Sequence, residues 1–194
     1  MTNWKTTDFQ SVNINYSNKA EGKYLISLRD DFVNGLSPFD LEARCGFKGA
    51  TIWDYLLLCR DSVLDWTENE ISMLEGLFWE IGSELKRHGM AIPSVETINV
   101  VKTTSIEEGG AMGYTRGNTI YVAESVMKKS EGKIEELLTH ELFHILTRSS
   151  LAFKEEVYKI IGFTTTEKVI DLMALNQRCR FVLTPEPTLK RGIF

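Results

Sequence analysis

The sequence is poor in cysteine, proline and histidine: its 194 residues include 3 Cys, 4 Pro and 3 His. The cysteines, at positions 45, 59 and 179, are scattered and odd in number, which argues against a disulfide framework and against a zinc knuckle. No apolar run approaches the ~18 residues of a membrane span, and the first residues have no apolar signal core. We therefore expect a cytoplasmic protein with reduced thiols and no membrane segment.

Basic residues are also in the minority, with 22 Lys and Arg against 27 Asp and Glu, for a net charge of −5. This balance argues against a nucleic-acid-binding protein. The hydrophobic content of 43% is ordinary for a globular protein, and the length fits one domain with a small extension. We expect the domain over residues 36–194 and an N-terminal extension over residues 1–35. That extension is predicted to be a hairpin of residues 12–16 and 23–28, or else a flexible arm.

Two of the three histidines lie in one five-residue segment, His140-Glu141-Leu142-Phe143-His144. The pattern H-E-x-x-H on a helix is typical of zinc-dependent hydrolases. Histidines at positions i and i+4 lie on one helix face, so both imidazoles can reach one metal ion. A glutamate between them lies close enough to take a proton from the water that zinc activates. The segment therefore predicts zinc ligands at His140 and His144, and a general base at Glu141.

The helix predicted around this motif begins after Ser130 and ends near Arg148. Acidic residues in its first turns and Arg148 at its end suit the helix dipole. Its apolar stripe consists of Ile134, Leu137, Leu138, Leu142 and Ile145. Glu141 falls within this stripe, where a carboxylate is costly unless it has a partner. The alternative without a metal is an amphipathic helix with two histidines at its edge and a buried, hydrogen-bonded Glu141.

Residues 140–163, HELFHILTRSSLAFKEEVYKIIGF, resemble the zincin group of metallopeptidases, and more specifically its gluzincin-like members. The resemblance implies bound zinc, a peptide or protein substrate and hydrolysis of a peptide bond. Thr147 and Ser150 stand where a metzincin has glycine and histidine, which excludes that subclass. The chain also lacks the N-E-x-x-x-S-D segment of thermolysin-like enzymes, so its third zinc ligand is not identified by a motif.

The gluzincin resemblance implies an acidic third ligand on the helix that follows the motif. Ser149 and Ser150 predict a turn, and residues 151–161 predict a second helix that runs antiparallel to the first. Glu155 and Glu156 would then lie level with the end of the motif.

A helical wheel separates these two glutamates, because Phe153, Val157, Ile160 and Ile161 define the predicted inward face. Glu156 lies on the same side as this face, and Glu155 lies on the opposite side. Glu156 is therefore the predicted third ligand. Glu155, Glu167 and Asp171 stay open as alternatives, and zinc also tolerates an aspartate. A solvated acidic pair on a surface helix is the interpretation without a metal.

The remaining pattern predicts an α+β fold of zincin-like type, with a small mixed sheet packed on helices and an HExxH active-site helix. A capping box of Thr67 and Glu70 begins a long helix. The other predicted elements are helices at 39–45 and 50–64 and strands at 97–102 and 119–123. This order resembles the zincin core, in which the strand before the active-site helix edges the cleft and binds extended peptide.

The glycine-rich loop between the two strands offers polar groups near the metal. Tyr114 is our candidate for stabilising the oxyanion as the carbonyl is attacked, with Arg116 as its alternative. A plain hairpin turn with exposed Tyr114 and Arg116 is the competing interpretation. Tyr158, on the helix after the motif, is a further tyrosine for which core packing is favoured.

The sequence thus predicts a zinc metallopeptidase with a peptide or protein substrate and no nucleic-acid or membrane partner. One alternative is a zinc hydrolase that acts on a non-peptide amide or ester. The other is a non-catalytic zinc-binding protein. Glu141 argues against the last alternative, because a purely structural zinc site has no use for a general base.

Overall fold

The computed structural model describes residues 4–160 and 162–163. The helices are α1 (Lys19–Ile26), α2 (Asp31–Gly35), α3 (Pro38–Cys45), α4 (Ile52–Ser62), α5 (Glu68–Arg87), α6 (Glu131–Ser149) and α7 (Leu151–Ile160). The strands are β1 (Thr6–Thr7), β2 (Asn13–Tyr16), β3 (Val63–Leu64), β4 (Ile92–Pro93), β5 (Thr97–Thr103), β6 (Gly113–Arg116) and β7 (Thr119–Ala123). None of the helices in this part of the chain has the length and apolarity that crossing a membrane requires.

The main sheet is small and mixed, with strand order β2-β5-β7-β6. The central strand β5 pairs in parallel with β2 and with β7, and the short β3 pairs antiparallel with its end. β6 pairs antiparallel with β7, and β1 and β4 form a separate antiparallel pair. The predicted α+β class, with a small mixed sheet packed on helices, is confirmed.

The edge of this sheet differs from the prediction. β7, the strand that precedes the motif helix α6, lies inside the sheet between β5 and β6, and all five of its residues are buried. Among the described residues β6 pairs with β7 alone, so the glycine-rich segment supplies the edge strand. The prediction that β7 forms the edge is therefore wrong, because residues 113–116 fold back onto it as an extra strand.

Alternate residues of the strands face two separate cores. Val100 and Ile120 face the first core, which is closed by α5, α6 and Phe153 of α7. Val101 and Tyr121 face the second core, which is closed by α1, α2, α3 and α4. The helix that carries the motif therefore packs on one face of the sheet, and the first four helices pack on the other.

The predicted N-terminal hairpin is wrong, because residues 19–26 form helix α1 instead of a strand. Asn18 and Glu21 make a capping box that satisfies the first amide groups of this helix. Gly22 lets α1 approach the sheet closely, since a Cβ there would lie 2.8 Å from a Val63 methyl carbon. β2, the other half of the predicted hairpin, pairs in parallel with β5.

Two predicted helices and the long capped helix are confirmed, with small shifts at their ends. Thr67 caps α5 and forms the predicted capping box with Glu70. The apolar run in α4 is only partly buried. Tyr55 and Leu56 lie in the core, but Trp53 and Leu57 are 70% and 59% exposed. The run is longer than one helix face, so part of it must face outward.

A buried ion pair ties α5 to the centre of the sheet. The Lys102 ammonium on β5 donates to both carboxylate oxygens of Glu70, at 2.7 and 2.9 Å. Lys102 is 6% exposed and lies 5.8 Å from the centre of the Trp66 ring. Glu70 therefore takes part both in the capping box of α5 and in the ion pair that joins α5 to β5.

We predict that Lys102→Ala lowers the free energy of unfolding by about 3 kcal/mol, because it leaves a largely buried Glu70 carboxylate without its cation. Urea denaturation at pH 7 measures this. Lys133→Ala is the matched control, since it breaks an exposed lysine–glutamate pair on α6 and should change stability little. Equal, small effects of both substitutions would contradict the role assigned to Lys102.

The same difference in stability should depend on pH. Burial acts to raise the pKa of Glu70, but hydrogen bonds from Lys102 and Thr67 outweigh it and lower this pKa below its ordinary value. A lowered folded-state pKa contributes stability above the unfolded pKa of about 4.3 and loses it as pH falls through the folded value. The gap between the wild type and Lys102→Ala should therefore stay near its pH 7 value down to about pH 5 and narrow as pH falls below about 4.

Candidate metal centre

Helix α6 holds the motif rigidly because its predicted apolar stripe is buried, except for the half-buried Leu137. Ile134, Leu138, Leu142 and Ile145 are all at most 3% exposed and belong to the first core. Ser130 occupies the N-cap position without a side-chain capping bond. Because this face of the helix is packed in the core, the backbone that carries the motif side chains is held in one position.

The two motif histidines lie one turn apart with their rings together. The Nε2 atoms of His140 and His144 are 3.1 Å apart, and the ring planes are 83° to each other. His140 is exposed and His144 is half-buried. Two nitrogens that bind one tetrahedral zinc at 2.0–2.1 Å lie about 3.3 Å apart. The pair therefore fits a shared zinc ion in spacing and in ligand type.

Glu141 points from α6 into the protein and is 4% exposed, as its place in the apolar stripe predicts. Burial raises the pKa of its carboxyl, and the nearby His140 and Arg148 oppose that rise. Both cavities that lie beside the motif have Glu141 in their walls. The carboxyl is thus buried at the floor of a cleft and not within the packed core alone.

The helix predicted to carry the third ligand folds back beside α6, with the Phe143 and Tyr158 ring centres 6.0 Å apart. The buried face of this helix differs from the face that the helical wheel predicts. Phe153, Lys154 and Tyr158 are buried, and Ile160 is 83% exposed. The predicted core packing of Tyr158 is confirmed.

This rotation leaves both Glu155 and Glu156 exposed. Within residues 4–160 and 162–163, no group of three or more His, Cys, Asp or Glu side chains is placed to hold a metal. The structure therefore does not bring Glu156 to the histidine pair. Glu167 and Asp171, the other candidates, lie outside the described residues.

Tyr114 also lies elsewhere than predicted. Its hydroxyl donates to Glu107 Oε1 at 2.8 Å, and its ring stacks on Tyr121 with centres 4.7 Å apart. Both contacts belong to the side of the sheet that α1 to α4 cover. Burial raises the pKa of this phenol well above its ordinary value. The hydroxyl is not directed at the histidine pair, so its placement does not support the predicted oxyanion role.

Arg116, the alternative to Tyr114, is also turned away from the motif. Its guanidinium is buried and donates to the Asp30 carboxylate at 2.8 Å and to the Ile26 carbonyl at 3.0 Å. A further bond runs to the carbonyl of Leu28. Arg116 thus fastens the end of β6 to the turn between α1 and α2, and this turn forms part of the cleft wall.

The cleft beside the motif is a cavity of about 590 Å³ between α6, the edge strand β6 and the start of α2. α6 contributes His140, Glu141, His144 and Arg148, and α2 and the residue before it contribute Asp30, Asp31 and Phe32. Arg148 donates to the side chain and to the carbonyl of Thr115, which fixes β6 against α6. A second cavity, of about 390 Å³, shares Gly113, His140 and Glu141 with the first.

Sequence reasoning missed most of this wall. Arg148 follows His144 by four residues and therefore shares its helix face, a spacing that would have placed it in the cleft. Asp31 and Phe32 carry no comparable signal, because only the tertiary fold brings residues this distant in the chain to the motif.

One comparison with known families bears on this unit. A family model described as the eCIS core domain matches residues 96–151, under a third of the chain, from β5 through α6 to the first residue of α7. That domain has a metallopeptidase-like fold, so the match supports a zincin-like relation only loosely. No curated protein and no solved structure matches the chain. The relation to metallopeptidase-like folds therefore rests on the strand-and-helix unit that carries His140, Glu141 and His144.

Proposed function

We propose that this protein is a zinc-dependent metallopeptidase that hydrolyses peptide bonds. One observation carries the proposal: the Nε2 atoms of His140 and His144 lie 3.1 Å apart beside the buried carboxyl of Glu141, in the wall of an open cleft. A carboxyl on the buried face of a helix costs free energy, so its presence beside two paired imidazoles favours a chemical role.

His140 and His144 are the residues that would hold the metal, since neutral imidazole nitrogens are common zinc ligands. When bound, zinc supplies Lewis-acid chemistry and lowers the pKa of water toward about 7. The third protein ligand is expected to be acidic, and Glu167 and Asp171 are its remaining candidates. Glu156 is not expected to bind the metal, because its side chain is exposed and lies away from the histidine pair.

Glu141 is proposed to move the proton in the reaction. Its carboxylate takes a proton from the water that attacks the substrate carbonyl, and it then delivers that proton to the leaving amine. The amine leaves uncharged or protonated, which makes breakage of the C–N bond easier. Glu141 lines both cavities beside the motif, which supports this role for its carboxyl.

The edge strand β6 supports a peptide as the substrate. Residues 113–117 line the larger cavity along one side of the motif. An edge strand presents backbone amide and carbonyl groups that an extended chain can pair with. Arg148 holds this strand against α6 through Thr115, so the strand keeps its distance from the histidine pair. An open cleft of this kind suits a chain better than a small enclosed molecule.

We predict that Glu141→Gln keeps bound zinc and lowers the rate of peptide cleavage by about 10²–10⁴-fold, because it removes the proton acceptor and leaves both imidazoles. Zinc content and cleavage of a peptide library are measured on the same preparations. Glu131→Gln is the control, since Glu131 is an exposed residue in the first turn of α6. If zinc-loaded wild type cleaves no peptide but hydrolyses small amides or esters, the peptidase proposal is wrong.

A second prediction concerns the ligand set. His140→Ala and His144→Ala should each lose zinc, and Glu156→Gln should retain it because its side chain is exposed. Metal content is measured after dialysis, with circular dichroism to show that each variant is folded. Loss of zinc in Glu167→Gln or Asp171→Asn would identify the acidic ligand. Retention of full zinc by both histidine variants would exclude the proposed centre.

A further inference from the structure

The cleft extends in both directions from the motif. Along α6 the larger cavity uses His140, Glu141, His144 and Arg148, and the smaller one uses Lys133, Glu136, Leu137, His140 and Glu141. Along β6 the larger cavity reaches the Arg116 end, and the smaller one reaches Met112 beyond the Gly113 end. The shared residues Gly113, His140 and Glu141 therefore lie between two cavities and not at the end of one.

This arrangement matters for how a chain would lie in the cleft. The four residues of β6 span about 13 Å at 3.3–3.4 Å per residue, which is the length of about four residues of an extended substrate. A chain that follows β6 past His140 and Glu141 has residues on both sides of the reacting bond. Such a site acts on internal bonds, whereas one that ends at the metal trims chain ends.

The smaller cavity has an apolar part to its lining. Met112, Val126 and Leu137 line it, and its volume of about 390 Å³ is ample for one large side chain. Gly113 at its edge allows β6 to lie close to α6, since a Cβ at this position would be 3.2 Å from a Leu137 methyl carbon. A larger residue at 113 would narrow the passage between this cavity and the motif.

Charged side chains of both signs also line the smaller cavity: Lys129, Lys133, Glu136 and Glu141. Lys133 and Glu136 pair with each other at 2.6 Å, so their charges offset. Lys129 is exposed, and none of the ion pairs among the described residues involves it. Lys129 is therefore the one lysine in the lining of this cavity that has no ion-pair partner among the described residues.

We infer that the protein cleaves internal peptide bonds next to a large apolar residue, which binds in the cavity of Met112, Val126 and Leu137. It prefers an acidic residue beside that apolar one, within reach of Lys129. The inference rests on the proposed metallopeptidase function and names the substrate class of the same site. Filling an apolar pocket commonly discriminates 10–200-fold between side chains that differ by a methylene or two.

The test uses the full-length, zinc-loaded protein and peptides that are acetylated and amidated at their ends. One series places Leu, Ala or Ser at a single central position, and another places Glu or Lys next to a central Leu. Mass spectrometry of the products shows which bond breaks. We expect internal cleavage beside Leu, at least tenfold faster than beside Ser, and faster with Glu than with Lys as the neighbour.

Variants assign these preferences to the cavity. Lys129→Glu should reverse the preference between the Glu and Lys peptides. Lys128→Glu makes the same charge change at an adjacent exposed lysine that does not line the cavity, and it should leave the preference unchanged. Binding of the same peptides to Glu141→Gln, followed by fluorescence polarisation, gives a readout that does not depend on turnover.

The failures can be told apart. Cleavage restricted to peptides with a free terminus would overturn the internal-bond inference and leave the peptidase proposal standing. Equal cleavage beside Leu and Ser, or an unchanged preference in Lys129→Glu, would overturn the assignment of the cavity. If no peptide is cleaved or bound by zinc-loaded protein, the proposed function itself fails.

Discussion

The burial of one carboxyl, that of Glu141, is the constraint on which the candidate site depends. This side chain lies on the apolar face of α6, where Leu138, Leu142 and Ile145 pack into the first core. Packing fixes the orientation of that face. It therefore also fixes the adjacent face of the helix, which carries His140 and His144. The imidazoles therefore meet at the edge of the core, and the carboxyl lies beneath the cleft.

The opposite wall of the cleft is the edge strand β6, which is held by contacts on the other side of the sheet. Tyr114 and Arg116 extend from β6 into the second core, where they bind Glu107 and the turn between α1 and α2. On the side of β6 that faces α6, Thr115 is held by Arg148. The edge strand is thus fixed from both sides. The two polar residues predicted for catalysis instead position the strand along which a substrate would lie.

Local patterns were enough to predict α5, α6, β5 and β7, since each has a clear apolar period or a capping box. The failures come from contacts between residues distant in the chain. The direction of Tyr114 is set by pairing of β6 with β7, and the exposure of Glu156 is set by Lys154 and Tyr158 packing inward on α7. Helix α1 is an exception, because the capping signal of Asn18 and Glu21 is local and lies between the two strands of the predicted hairpin.

The net charge of the chain does not fix the charges that line the cleft. A net charge of −5 hints at basic partners, yet Lys129, which lines the smaller cavity, has no ion-pair partner among the described residues. Specificity follows the groups that touch a substrate, whereas net charge bears first on solubility and on association rates.

The most direct test of the central claim is X-ray absorption spectroscopy at the zinc edge of the zinc-loaded protein. The account predicts two imidazole nitrogens at about 2.0–2.1 Å with oxygen completing the shell, and sulfur ligands at about 2.3 Å would contradict it.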